Sequence, residues 1–302
     1  LPPGADAGDY VARRAELGGE EANLRLLAGV SLEALLVDTG LAGDRLLGLD
    51  ELARLSAATA RELVRLESVA EEVAAAGVGA AEFEAAFGEA LDRRTAGAVG
   101  VKSIIAYRHG LDFDPRRPSS AEVTSAAARW LAGGDGRLDD EVLLRHVLWE
   151  GLGTGLPLQL HTGFGDPDLN LSRCDPALLT DFLRACADVG SPVLLLHCYP
   201  YHRQAAYLAN VFPHVYLDVG LAIPHVGRRA AAVLAETLEL APFHKLLYSS
   251  DAYGLAELYV VAAALFREAL TEVLEALRIG PGDRERIAAM IGSGNARRVY
   301  AL

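Results

Sequence analysis

The chain of 302 residues is 51% apolar and 23% charged, enough to bury a large core and too hydrophobic for a disordered polymer. Its 41 acidic and 28 basic residues leave a formal charge of −13, which argues against a nucleic-acid surface, where clustered Lys and Arg are needed. The longest apolar stretches, such as 258–266, are too short to span a bilayer, no secretory leader is recognisable, and Cys174, Cys186 and Cys198 lack paired spacing, so a cytoplasmic protein with reduced thiols is expected.

Helical patterns, with apolar residues three and four apart among charges, cover 9–29, 52–61, 79–94, 119–132, 138–152, 175–189, 201–210, 227–240 and 256–278. Between them, short apolar runs that close in polar or glycine-rich turns predict strands at 34–39, 62–67, 99–106, 157–161, 192–197, 215–219 and 245–249. Strands that alternate with helices in this way build a parallel α/β sheet. A (β/α)8 TIM-type barrel needs eight strands to close, and nothing before residue 34 reads as one. The expectation is therefore one barrel domain over 1–302, with residues 1–30 a helical segment and the first strand upstream of residue 1 or missing from the chain.

In a parallel sheet covered by helices, polar strand residues need a reason, because both faces are buried. Here they gather at the carboxyl ends of the strands, where α/β folds bind ligands. His161 and His197 each close a strand, and Asp251 follows Ser249-Ser250 just past the last. Period-2 alternation places Gln159 with His161, Leu195 with His197, and Leu247 and Ser249 with Asp251. Two imidazoles and a carboxylate suit Zn²⁺, with Mn²⁺ or Fe²⁺ as alternatives, and such an ion lowers the pKa of a coordinated water toward neutrality. Asp251 is then the candidate catalytic proton acceptor, its rival role being a helix N-cap.

Other residues carry two readings each. Lys102, one of only two lysines beside Lys245, either serves the site or forms a buried ion pair with Glu67. Arg65 and Glu67 read as a salt bridge or as site residues, while Arg108, His202 and Arg203 read as solvated loop residues or as contacts for a substrate carboxylate. His146, His214, His225 and His244 fall in helices or loops without evident partners, and 292–295 reads as one helix end followed by a cap at Asn295. Gly151-Leu-Gly-Thr-Gly155 precedes a strand, whereas a dinucleotide-binding loop follows one.

The pieces Val64-Arg-Leu-Glu67, Gly100-Val-Lys-Ser-Ile-Ile-Ala-Tyr-Arg108, Leu158-Gln-Leu-His-Thr-Gly163, Leu194-Leu-Leu-His-Cys-Tyr-Pro200, Tyr248-Ser-Ser-Asp-Ala252 and Gly294-Asn-Ala-Arg-Arg-Val-Tyr300 follow one another in an order that resembles the amidohydrolase superfamily. The resemblance is to its amidohydrolase-related branch, with nodulin-like and FluG-type N-terminal domains. It implies a barrel with one or two divalent metals at its mouth, ligands His161, His197 and Asp251 on strands five, six and eight, and Lys102 on strand four, a metal ligand if carboxylated. The superfamily's His-x-His of strand one is absent from this sequence, together with the strand itself. The implied activity is metal-dependent hydrolysis of a C–N or C–O bond in a small polar substrate, with Glu67, Arg108, Gln159, His202 and Arg203 as substrate contacts. Alternatives on the same barrel are a decarboxylase, a sugar-acid isomerase and a non-catalytic scaffold. The expected partner is a small molecule, with no nucleic acid and no membrane, and a homo-oligomer is compatible.

Overall fold

The computed structural model describes residues 2–41, 46–134 and 136–302. Two helices, α1 (Ala7–Leu17) and α2 (Gly19–Gly29), come first. They divide the helical pattern predicted over 9–29, because Gly18, with φ 75°, leaves helical geometry between them. Strands and helices then alternate as β1 (Ala34–Asp38), α3 (Leu49–Ser56), β2 (Thr59–Arg65), α4 (Leu66–Ala75), α5 (Phe83–Thr95), β3 (Gly100–Ser103), α6 (Ile105–Arg108), α7 (Ser120–Gly133), α8 (Glu141–Gly153) and β4 (Leu158–His161). The remainder runs α9 (Thr180–Ala185), β5 (Val193–Leu196), α10 (His202–Val211), β6 (Val215–Leu217), α11 (Ala222–Val226), α12 (Ala230–Thr237), α13 (Ala256–Ala276), α14 (Pro281–Ala289) and α15 (Asn295–Tyr300). No helix of the described residues is long and apolar enough to cross a membrane.

Among the described residues the sheet is six-stranded and wholly parallel, in the order β1-β2-β3-β4-β5-β6. The predicted strand 245–249 contributes a single parallel bridge, Leu217 to Leu246. It has β6 on one side and no strand on the other among the described residues, so its ladder does not extend. This is a TIM-type barrel arrangement whose ring, among the described residues, stays open between β1 and Leu246.

Alternation sorts the strand residues into two layers. Val64, Val101, Leu158, Leu160, Val193, Leu195, Val215 and Leu217 join the main apolar core. Leu63, Leu194, Leu196 and Leu247 form a separate inner cluster with Tyr300, which α15 inserts among them. Thus Leu194 and Leu196 face the cavity and Leu195 does not, contrary to the expected pairing of Leu195 with His197. The physical reason lies in the backbone: His197 has φ 69° and Cys198 φ 59°, so the alternation ends at Leu196.

Several element limits also differ from expectation. β2 starts at Thr59 and stops at Arg65, which puts Glu67 in the first turn of α4. β3 ends at Ser103 and the chain turns helical from Ile105. The 292–295 segment is a π-helical turn, Met290–Gly294, continuous with α15, and the Asn295 amide is buried, donating to the carbonyls of Phe243 (2.8 Å) and Leu246 (2.7 Å) instead of capping a helix. Cys174, Cys186 and Cys198 are free and buried.

Candidate functional site

The carboxyl ends of the strands open into a cavity of about 1500 Å³ that continues into the open seam beside β1. His161, the last residue of β4, and His197, just past β5, face each other with ring centroids 4.6 Å apart, and both are buried. Among the described residues, His161 Nε2 and His197 Nδ1 have no hydrogen-bond partner. Burial holds both imidazoles well below the usual pKa, and the Lys102 charge pushes each the same way. They are neutral at pH 7, with lone pairs free to bind.

His197 is aimed by its backbone. Two successive non-glycine residues with positive φ are costly, and the turn is pinned by Asp218, whose Oδ1 accepts the His197 N–H at 3.0 Å and the Gly220 N–H at 3.0 Å. Burial raises the Asp218 carboxyl to about 6, against the pull of those two N–H groups. Asp251 Oδ2 stands 3.8 Å from His197 Nδ1. Its side chain keeps 36% of its surface, which opens onto the cavity, and the surrounding walls raise its pKa while Lys102 lowers it.

Tyr107, in α6, packs against His161 with the rings tilted by 53° and 4.5 Å between centroids. Its hydroxyl accepts the Asp166 N–H at 3.1 Å, and burial pushes the phenol up to about 12, so the proton stays on. Gly165 makes this approach feasible: a Cβ there would lie 1.9 Å from the Tyr107 hydroxyl and 3.2 Å from His161 Nε2.

The other side of the cavity is an ion cluster. Arg65 of β2 engages Asp38 of β1 through Nε, 3.2 and 3.1 Å from the two carboxylate oxygens, and through a terminal nitrogen. Lys102 of β3 reaches the same carboxylate at 3.2 Å. The register aligns Arg65 with Lys102 and Lys102 with Gln159, so these side chains share one layer. The Lys102 and Arg65 charges hold Asp38 below the usual carboxylate range in spite of its burial.

The other expected contacts divide. Gln159 lines the cavity and donates to the Tyr300 hydroxyl at 2.5 Å. Glu67 is fully buried away from it, accepting from Ser103 Oγ (2.5 Å) and the Ile104 N–H (2.9 Å), so Lys102 pairs with Asp38 and not with Glu67. Arg108 lies outside the cavity wall, 3.0 Å from Glu71 of α4. His202 and Arg203 sit in the helical layer, bound to Glu236 (2.8 Å) of α12 and to Glu239 (3.0 Å), because α10 turns them outward. His225, without an evident partner in the sequence, lines the cavity and packs edge-on against Phe164. Sequence reasoning misses Asp38, Asp218 and Tyr107 as site residues. Asp38 nonetheless closes an apolar run, the same signal that marks His161.

The orphaned imidazole nitrogens and the adjacent carboxylate are donors of the type a divalent cation takes. Among the described residues no group of three His, Cys, Asp or Glu side chains is preassembled around one point, so these three form a partial ligand set.

Residues 49–302 match the Amidohydrolase family. Protein fluG of Emericella nidulans is 37% identical over 222 residues, 68% of this chain. The matched stretch spans only 26% of that longer protein. A crystal structure from Lactobacillus casei ATCC 334, provisionally described as a metal-dependent hydrolase, is 33% identical with a TM-score of 0.90, covering 98% of this chain and 80% of that one. Glucuronate isomerase from Caulobacter crescentus, 16% identical, shares the fold with a TM-score of 0.65 over 97% of this chain and 70% of its own.

Proposed function

The chain belongs to the amidohydrolase family, and from that premise we propose that it is a metal-dependent hydrolase cleaving a C–N or C–O bond of a small polar molecule. The observation that carries the reading is the pair of unpartnered nitrogens, His161 Nε2 and His197 Nδ1, buried at the strand ends with Asp251 beside them. Buried polar groups are nearly always satisfied, so two orphans in contact call for a ligand. His161, His197 and Asp251 would hold the ion, and zinc is the ion we propose for two imidazoles with a carboxylate. When bound, it supplies Lewis-acid polarisation of the reacting oxygen.

The remaining work falls to the chain's own groups. Asp251 takes a proton from the attacking water and returns it to the leaving group. Its exposed face points into the cavity, where substrate enters, while its other side abuts His197. The Tyr107 hydroxyl, fixed by the Asp166 N–H and kept protonated, offers a donor for a substrate oxygen beside His161. Asp218 keeps the His197 turn in place through its two accepted N–H bonds, and so keeps the imidazole facing the cavity.

The test has two arms. Zinc is titrated into metal-stripped protein, and the zinc-loaded protein is screened against small carboxamides and esters with product identification. Saturable zinc binding and release of an amine or alcohol are expected. Zinc binding unaffected by His161→Ala and His197→Ala overturns the ligand assignment, and product formed without uptake of water overturns hydrolysis.

A further inference from the structure

We propose that Lys102, held next to Arg65 by Asp38, is an unmodified ammonium that anchors the carboxylate of an anionic substrate. This rests on the reading of the cavity as a substrate site.

The charges in the ion cluster do not balance. Arg65 and Lys102 bring two positive charges to the single negative charge of Asp38. Arg65 spends Nε and one terminal nitrogen on both carboxylate oxygens. Lys102 meets the same carboxylate with an ammonium that has three N–H donors, and Asp38 is its one salt-bridge partner among the described residues. Glu67, the nearest alternative by sequence, is turned away toward Ser103 and the Ile104 N–H. Lys102 retains 12% of its side-chain surface, and that surface lines the cavity. A cation with unused donors, walled by protein and open on one side, attracts an anion.

The same geometry opposes a carboxylated Lys102. An ammonium paired with a carboxylate at 3.2 Å has no lone pair with which to attack carbon dioxide. Carboxylation would also set a second anion against Asp38, the carboxylate that Lys102 now contacts. The cluster therefore favours the ammonium over the carbamate.

Position narrows the substrate class. Lys102 is in register with Gln159, and His161 is two residues further along β4. Two strand residues correspond to roughly 6–7 Å. A ligand whose carboxylate rests on Lys102 would present to the histidines a bond a few atoms away. That describes an amide or ester of a small dicarboxylic acid, or an N-acyl amino acid, entering carboxylate first.

Succinate and succinamide, equal in shape and different in charge, are suitable probes, with binding to the full chain followed by ligand-observed NMR. Succinate is expected to bind the wild type and to weaken about tenfold or more in Lys102→Met, while succinamide binds feebly and equally to both. Asp38→Asn removes the competing anion and should tighten succinate, a change that loss of folding does not imitate. Equal succinate affinity in wild type and Lys102→Met overturns the proposal, as does wild-type protein that binds succinamide as well as succinate, or a ¹³C-carbamate signal on Lys102 after exposure to labelled bicarbonate. Zinc titration of Lys102→Met separates the two readings. Zinc bound without carboxylate discrimination defeats the anchor alone, and no zinc binding in either protein defeats the hydrolase reading while leaving the succinate result interpretable.

Discussion

The two sides of the cavity mouth are built from the same kind of position and hold opposite chemistry. On β1 to β3 the inward polar residues Asp38, Arg65 and Lys102 bond one another and form a rigid ion cluster. On β4, β5 and the segment after Leu246, His161, His197 and Asp251 face each other with ring nitrogens left unpartnered and both imidazoles neutral. Exposure does not sort the two sides, since the histidines are more buried than the ion cluster and Asp251 is less so. Satisfaction does: Asp38 and Arg65 are committed to each other and only Lys102 keeps donors to spare, whereas each imidazole leaves a ring nitrogen without a partner among the described residues.

The largest expected effects break the unpaired side. His161→Ala and His197→Ala should each weaken zinc binding by at least ~100-fold in chelator competition, since each removes a proposed ligand. Asp251→Asn should lower turnover of any substrate found in the screen by about 100-fold with little change in melting temperature, because asparagine fills the same space and cannot accept the proton. Equal turnover would reduce Asp251 to a structural turn residue.

On the paired side the effect is on stability. Arg65→Met leaves Asp38 with Lys102 alone and should cost about 2 kcal/mol in urea unfolding, with zinc affinity nearly unchanged. Loss of zinc affinity in this variant would mean that the two sides are one unit.

Asp218 sharpens the comparison, because it is a buried carboxyl that supports the histidine side. Its folded pKa of about 6 lies above the ordinary 3.8, so its contribution to stability is complete below about pH 4 and is lost as the pH rises through 6. In metal-free protein, the wild type should lose on the order of 1–2 kcal/mol across that window relative to Asp218→Asn, read as the difference between two stability–pH curves. The smallest effect belongs to the outer layer. Arg203→Ala removes an exposed guanidinium paired with Glu239 and, at 3.7 Å, with Glu236, and melting temperature, zinc binding and turnover should all stay as in the wild type.

Much of this is legible along the chain. Strand-terminal polarity locates His161 and His197 without structural help, since a polar residue that closes an apolar run in a covered sheet must be either satisfied by a buried partner or offered to a ligand. Asp38 carries the same mark and is legible in principle. His202, Arg203 and Arg108 are not separable from site residues by sequence, because proximity to a strand end does not reveal which way the following helix turns. Glu67 stands out as a partner for Lys102 because both belong to neighbouring strand–helix units, whereas the true partner, Asp38, lies two strands away.

The sequence by itself determined the alternation of strands and helices, the family and the motifs around the strand ends, because hydrophobic periodicity and local turn chemistry are properties of neighbouring residues. Tertiary structure alone decided which polar groups are satisfied. The left-handed turn at His197, its anchoring by Asp218, the fit of Tyr107 over Gly165 and the unequal charges around Asp38 all join residues far apart in the chain. Satisfaction of a buried group depends on the atoms that folding brings around it, and those are set by packing across the barrel, not by the order of residues along one strand.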